Sequence, residues 1–284
     1  MGFYERFTLV SVVIDKCYLI VYIGVCIYDR EREYNMDPNL VKFAEDWSKK
    51  VTERARKIRE SYKPTVEDIA KFQNELDALG MHLVQQQFPS FVWMDHYRKR
   101  VVGTTPQFFI VANTSDGTYN LIKDIPVHAV SLSFLRDINK PPVLSYVYDT
   151  FNNKSYWADT ASYEAGKPIR TTKTETIEDS TLSVDPKDAC DSVNDCKVFR
   201  RFGSLSLELC WLAAGKLDGV IYLSNAFDMA YFSAPLHILE KAGGKLTLPN
   251  GKPFKFEMDF NTKSTFVASA NEVLHRRLLE KVKA

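Results

Sequence analysis

The sequence has no surplus of charge of either sign: 37 Lys and Arg face 36 Asp and Glu across 284 residues, a net charge of +1. A uniformly basic surface for nucleic acid is excluded, and so is a strongly acidic solvating tail. The short basic runs Arg98-Lys99-Arg100 and Arg276-Arg277 read as solvated surface. Cysteine is scarce and scattered, at positions 17, 26, 190, 196 and 210, which excludes a disulfide framework. Cys190 and Cys196 share an acidic loop without histidine, so a zinc site there lacks two ligands, and two ordinary thiols fit better than a local disulfide. The expectation is a reducing, cytoplasmic setting. Repeats and low-complexity tracts are also absent, and the longest uncharged apolar piece, Cys17 to Tyr28, spans 12 residues. A membrane-spanning helix needs about 20, so no membrane partner is expected.

What is present is an ordinary globular composition, 45% apolar and 26% charged, enough for a buried core. From Met36, apolar residues at Leu40, Phe43, Trp47, Val51, Ala55 and Ile58 recur at steps of three and four, predicting an amphipathic helix over 36–62. Lys63-Pro64 breaks it, and Thr65 with Asp68 is expected to cap a second helix, about Val66 to Gln86. Phe108 to Ala112 reads as a strand buried on both faces, and 127–135, 143–148 and 155–158 as further strands, with 168–171 extending the sheet. Residues 172–196 are polar and carry no clear pattern. Beyond them, Gly203-Ser204 opens a helix that Gly215 stops, Asp218-Gly219 turns into a strand at 220–223, and Asp228 starts a further helix. Pro235 should kink that helix. A last strand at 265–269 leads to a helix capped by Asn271. Alternating helices and strands argue for an α/β class in this half, with an α+β N-terminal half before it.

Chemistry concentrates in Asn113-Thr114-Ser115-Asp116-Gly117-Thr118-Tyr119-Asn120, directly after the buried strand. A carboxylate, a glycine and a threonine at a strand's carboxyl end suit a phosphate-plus-metal site, because glycine lets the backbone approach a ligand and the following amides point at an anion. Ser-Asp-Gly-Thr is equally ordinary turn chemistry. The second block runs as Arg201, Gly203-Ser204, Ala213-Ala214-Gly215, Asp218-Gly219, Phe227-Asp228-Met229-Ala230 and Glu240-Lys241-Ala242-Gly243-Gly244. Together, in this order and spacing, the two blocks resemble the inositol monophosphatase superfamily, and the likeness covers about residues 36–284.

The resemblance implies a layered αβαβα sandwich, a homodimer, and Mg²⁺-assisted hydrolysis of a sugar or inositol phosphate, in which ions activate a water and neutralise the phosphoryl oxygens. Carried over residue by residue, it makes Asp116 and Asp228 metal ligands, Thr118 the water-positioning hydroxyl, and Gly117, Thr118, Gly203 and Ser204 the phosphate-binding groups. Three positions depart from the pattern. Asn113 stands where the family has the first aspartate of its motif, with Thr114 in place of proline. The ligand glutamate falls on His96, or on Asp95 with a one-residue gap. The aspartate that partners the threonine falls on Gln73. Losing these carboxylates should remove at least one metal site, since divalent ions need charged oxygen ligands. Two readings follow: a metal-dependent phosphomonoesterase with a degenerate metal site, and an inactive relative serving as a sugar-phosphate-binding or scaffold subunit.

The chain is read in three parts: residues 1–35, an N-terminal half 36–155 with the Asp-Gly-Thr motif, and a C-terminal half 156–284 with the Phe-Asp-x-Ala motif. The first part is rich in β-branched and aromatic residues and reads as strand; no basic leader or small-residue cleavage site frames it as a signal peptide. Because the soluble pattern starts at Met36, translation is expected to begin there. Intact-mass measurement on protein from its native source checks this: a mass that includes residues 1–35 would refute it.

Overall fold

In the computed structural model, the described residues are 7–14, 17–24, 38–62, 65, 67–95, 98–184, 195–224, 232–253 and 265–283. The chain divides into two compact units, 1–36 and 37–284. In the first, Phe7–Ile14 (β1) pairs antiparallel with Cys17–Gly24 (β2) in unbroken register, Phe7 opposite Gly24 and Ile14 opposite Cys17. Strand is what the β-branched composition predicts there.

The second unit begins with two long helices, α1 (Pro38–Tyr62) and α2 (Ile69–Gln87). A run of strands follows: β3 (Phe91–Asp95), β4 (Arg98–Val102), β5 (Phe108–Asp116), then the short helix α3 (Thr118–Ile122), β6 (Ala129–Leu135), β7 (Leu144–Asp149), β8 (Lys154–Ala158), β9 (Ser162–Glu164) and β10 (Lys167–Pro168). These eight strands form one sheet in the order β10-β9-β8-β7-β6-β5-β3-β4. The remaining elements are β11 (Thr181–Val184), β12 (Val198–Arg200), α4 (Leu205–Ala213), β13 (Gly219–Tyr222), α5 (Ser233–Lys241), β14 (Lys245–Thr247), β15 (Phe266–Ser269) and α6 (Glu272–Lys283). Their strands make a second sheet, β12-β11-β13-β15-β14.

The layering follows from which side chains share a core. Trp47, Val51 and Ile58 of α1 and Phe72 and Leu76 of α2 pack with Phe108 and Ile110 of β5 and Leu132 and Phe134 of β6. On the other side of this sheet, Val147, Tyr156 and Ala158 meet Leu209 and Leu212 of α4 and Ile238 of α5. The same helices bury Val220 and Tyr222 of β13 and Phe266 and Ala268 of β15. The intervening residues Ile221 and Val267 point the opposite way, onto Leu274 and Leu278 of α6. This two-residue alternation is what a strand buried on both faces requires. The result is the mixed αβαβα sandwich expected from the sequence.

Several local expectations need correction. Asp68, not Thr65, stands at the N-cap of α2, and it makes no cap bond of its own. Its carboxylate instead accepts the Thr65 amide at 2.8 Å, so the pair ties the loop to the helix rather than capping it. Pro235 does not kink α5: it lies in the first helical turn, where a missing N–H costs nothing. Strands β3, β4 and β11 went unforeseen. Asn271 does cap α6, its Oδ1 accepting the amides of Val273 at 3.1 Å and Leu274 at 3.0 Å.

An aromatic knot lies within the first core. Phe134 is fully buried and meets Phe108 edge-on at 5.6 Å between centroids, while Phe88 meets Phe108 at 5.4 Å and Phe43 at 5.2 Å. Phe134→Ala is expected to cost about 3–5 kcal/mol in urea unfolding. Val101→Ala, at a 65% exposed position, should stay within about 0.5 kcal/mol.

Candidate functional site

The site is built where β5 ends. Up to Ala112 its residues alternate between two cores, Phe108, Ile110 and Ala112 toward the helices and Val111 toward Val92, Met94 and Leu135. Then the pairing with β6 slips: Asn113 lies opposite Ser131 and Asp116 opposite Ala129, three steps on one strand against two on the other. Such a bulge re-aims the side chains that follow it. Gly117 completes the turn at φ +83°, and a Cβ there would stand 2.7 Å from the Val127 carbonyl, so only glycine fits. Thr118 opens α3 immediately afterwards.

Asp116 is almost wholly buried and reaches across to the second half of the chain. Its Oδ2 accepts the Ser204 hydroxyl at 2.8 Å and the Ser206 amide at 2.7 Å, both at the start of α4. Burial pushes its pKa up, while Ser204, Ser206 and the positive charge of Arg201 act in the other direction. Gly203 donates its amide to Glu208 Oε1 at 2.9 Å, and Phe202 does the same at 3.1 Å. Ser183 donates its hydroxyl to the other oxygen of that buried carboxyl at 2.7 Å. Asn120 pins the two halves together, its Nδ2 donating to Val127 O at 2.9 Å and Phe202 O at 2.7 Å. Asp116, Gly117, Thr118, Gly203 and Ser204 are thus brought to one place, but the Gly203 amide and the Ser204 hydroxyl donate to internal carboxylates.

The Thr118 hydroxyl lies 2.8 Å from Ser115 Oγ, donates to the Ser115 carbonyl at 3.1 Å, and has the Gln73 amide nitrogen at 3.5 Å. Ser115 Oγ in turn lies 3.0 Å from His128 Nε2, and His128 Nδ1 lies 3.0 Å from Thr150 Oγ1. Nothing in the family motif marked Ser115 or His128. The available signal was a histidine directly before a largely apolar strand, since a buried ring nitrogen needs partners.

The metal positions are spread more thinly. Asp95 ends β3, which runs parallel to β5, and its Oδ2 accepts the Trp93 indole N–H at 2.7 Å. Asn113 Oδ1 accepts the Ser115 amide at 3.2 Å. Thr114 donates its hydroxyl to the buried Asp77 carboxylate. Asp228 and His96 lie outside the described residues. Among the described residues no group of three or more His, Cys, Asp or Glu is placed to hold a metal ion. Those residues alone do not form a cage for Mg²⁺, whose charge has to be met by several carboxylate oxygens or by substrate phosphate.

A sequence model of the inositol monophosphatase family matches residues 39–284. The chain belongs to that family. Among curated relatives, a fructose-1,6-bisphosphatase/inositol-1-monophosphatase of Archaeoglobus fulgidus is 32% identical over 182 residues, covering 62% of this chain and 69% of the relative. A bifunctional NADP phosphatase/NAD kinase of Methanococcus maripaludis is 28% identical over 207 residues; the match takes in 64% of this chain and 36% of that longer protein, about a third of its length. Among solved structures, inositol monophosphatase-II of Staphylococcus aureus superposes with a TM-score of 0.72 at 18% identity, covering 86% of this chain and 95% of the other. The fold is therefore shared well beyond the range of recognisable sequence. No described helix is long and apolar enough to cross a membrane.

Burial, with the nearby Arg56 guanidinium, pushes His128 down to about 3, so the folded protein keeps the ring neutral through the acidic range. In the unfolded chain the same ring titrates near about 6.5. The unfolded state therefore binds the extra proton between those values, and stability present above pH 6.5 is lost as pH falls toward 3. For this one group the slope approaches about 1.4 kcal/mol per pH unit. Unfolding free energies measured from pH 7 to pH 4 should fall less steeply in His128→Gln than in the wild type.

Proposed function

We propose that residues 37–284 bind a sugar or inositol phosphate at the carboxyl end of β5 and turn it over weakly, with a metal site reduced relative to the family pattern. The observation that carries this reading is the Gln73 amide at the Thr118 hydroxyl, together with Asp116 Oδ2 committed to Ser204 and Ser206. The first sets a neutral amide beside Thr118, and the second engages one oxygen of the Asp116 carboxylate inside the protein. Catalysis by divalent ions depends on that charge.

In this reading Mg²⁺ would be held by Asp116, with Asp228, Asn113 and Asp95 as further oxygen donors, and would supply charge neutralisation and water activation at the phosphoryl group. Gly117 and Thr118 offer the ester backbone amides at the start of α3. A homodimer in the cytoplasm is part of the same proposal. The second reading, an active phosphatase, is favoured by Thr118, whose hydroxyl remains in place beside the motif aspartate. The third, a non-catalytic binding or scaffold subunit, is the limit of the first as turnover goes to zero.

Magnesium-dependent phosphate release from inositol 1-phosphate and fructose 1,6-bisphosphate separates these readings. The expected kcat/KM lies below about 10⁴ M⁻¹s⁻¹, the lower end of ordinary enzymes. Calorimetry should nonetheless detect inositol 1-phosphate binding. Turnover above that value, abolished by Asp116→Asn, would establish the active phosphatase instead. No heat from either Mg²⁺ or the ester would remove the binding reading. The double variant Asn113→Asp with Gln73→Asp is expected to raise turnover, because it returns two of the missing carboxylates.

A further inference from the structure

Four side chains form an unbroken buried chain behind the proposed phosphate site: Thr118, Ser115, His128 and Thr150, each at most 7% exposed and linked by contacts of 2.8, 3.0 and 3.0 Å. With the Thr150 hydroxyl donating to the His128 carbonyl at 3.2 Å, it meets the ring as an acceptor. His128 Nδ1 then carries the ring proton, and Nε2 presents its lone pair to Ser115. The reverse arrangement, Thr150 donating to Nδ1 and Nε2–H to Ser115, fits the same distances and is what the ring tautomer decides. In the first arrangement the Ser115 hydroxyl donates to Nε2, which leaves its oxygen to accept from Thr118. Thr118 also has the Ser115 carbonyl within reach, so its proton is directed into the protein by either route.

The consequence lies at the open side of Thr118. A hydroxyl whose hydrogen is spent inward can only accept from the other direction, and an attacking water needs an acceptor for one of its hydrogens. The Gln73 amide does not set this polarity, because its nitrogen approaches Thr118 at 3.5 Å as a donor. Burial keeps the His128 ring neutral, so the Nε2 lone pair persists at physiological pH.

We propose that Ser115 and His128 are positioning residues that hold the Thr118 hydroxyl as a hydrogen-bond acceptor for water at the phosphate site. The inference rests on the phosphate-site reading above and names the groups that stand in for a carboxylate beside Thr118. It is tested on the full-length protein by long-range proton–nitrogen NMR of the His128 ring and by kinetics of Ser115→Ala. The ring is expected as the Nδ1–H tautomer, and its Nε2 resonance should shift when inorganic phosphate is added. Ser115→Ala should lower kcat about tenfold or more at unchanged KM, the penalty of a misoriented group, and should abolish the phosphate-induced shift. His128→Gln, which keeps an acceptor for Ser115, should retain more turnover than His128→Phe. An Nε2–H tautomer, or a Ser115→Ala protein with wild-type kcat and wild-type phosphate response, overturns the proposal. A wild type without turnover, but with the Nδ1–H tautomer and the phosphate-induced shift, removes the catalytic reading and supports the positioning of Thr118. A folded wild type that shows no response to phosphate overturns both.

Discussion

Asp116 carries a carboxylate into a nearly dry position and spends one of its oxygens on the Ser204 hydroxyl and the Ser206 amide. A buried charge without partners is expensive, and its cost falls only when donors are already aimed at it. Here those donors lie 88 and 90 residues away, at the first turn of α4. The carboxylate thus acts on α4 as a capping anion does, meeting an orphan amide and the positive end of the helix. The end of β5 and the start of α4 are held in one geometry as a result. Gly117, Thr118, Asn120 and Gly203 inherit their positions from that tie.

The layering makes the tie achievable. Helices α4 and α5 lie between the two sheets and are apolar on most sides, which is why Leu205 to Ala213 is buried at almost every position. A helix so enclosed cannot send its terminal amides to water, so its N-terminus has to find acceptors inside the protein. Asp116 is that acceptor for the Ser206 amide. Glu208 folds back on the loop before its own helix, taking the amides of Phe202 and Gly203. The buried carboxyls at this junction are therefore structural requirements of a central helix, and on the reading proposed above the Asp-Gly-Thr motif serves the chemistry as well.

This double use explains what could be read from the sequence. The periodic apolar pattern of α1 and the cap of α6 are local properties, and both are legible without tertiary information. The placing of Asp116, Gly117 and Thr118 directly after a buried strand was legible too, since it is a matter of sequence order. Strands β3 and β4 were not legible: Phe91 to Val102 mixes apolar and basic residues, and only pairing with β5 decides its conformation. Pro235 misled because a proline's effect depends on where the helix starts, and that start at Ser233 is set by packing. The partners of Asp116 and the chain behind Thr118 join residues far apart in sequence. No local pattern announces a serine facing a histidine thirteen positions on.

On the reading proposed above, the neutral groups around Thr118 and the altered metal positions are two faces of one constraint. Carboxylates gathered at a strand end repel one another, and a site rich in them is held together by the cations it binds. Asparagine at 113 and glutamine at 73 carry no charge to repel, and with Ser115 they are tied by hydrogen bonds instead: Asn113 takes the Ser115 amide, Ser115 meets Thr118, and Gln73 approaches the same hydroxyl. A cluster satisfied in this way is preorganised before any ion arrives. On the reading proposed above, the substitutions that weaken metal binding also let the site keep its shape without metal. The phosphate-facing backbone at Gly117 and Thr118 then depends on the protein's own packing, through Asp116 and Asn120, and not on an ion.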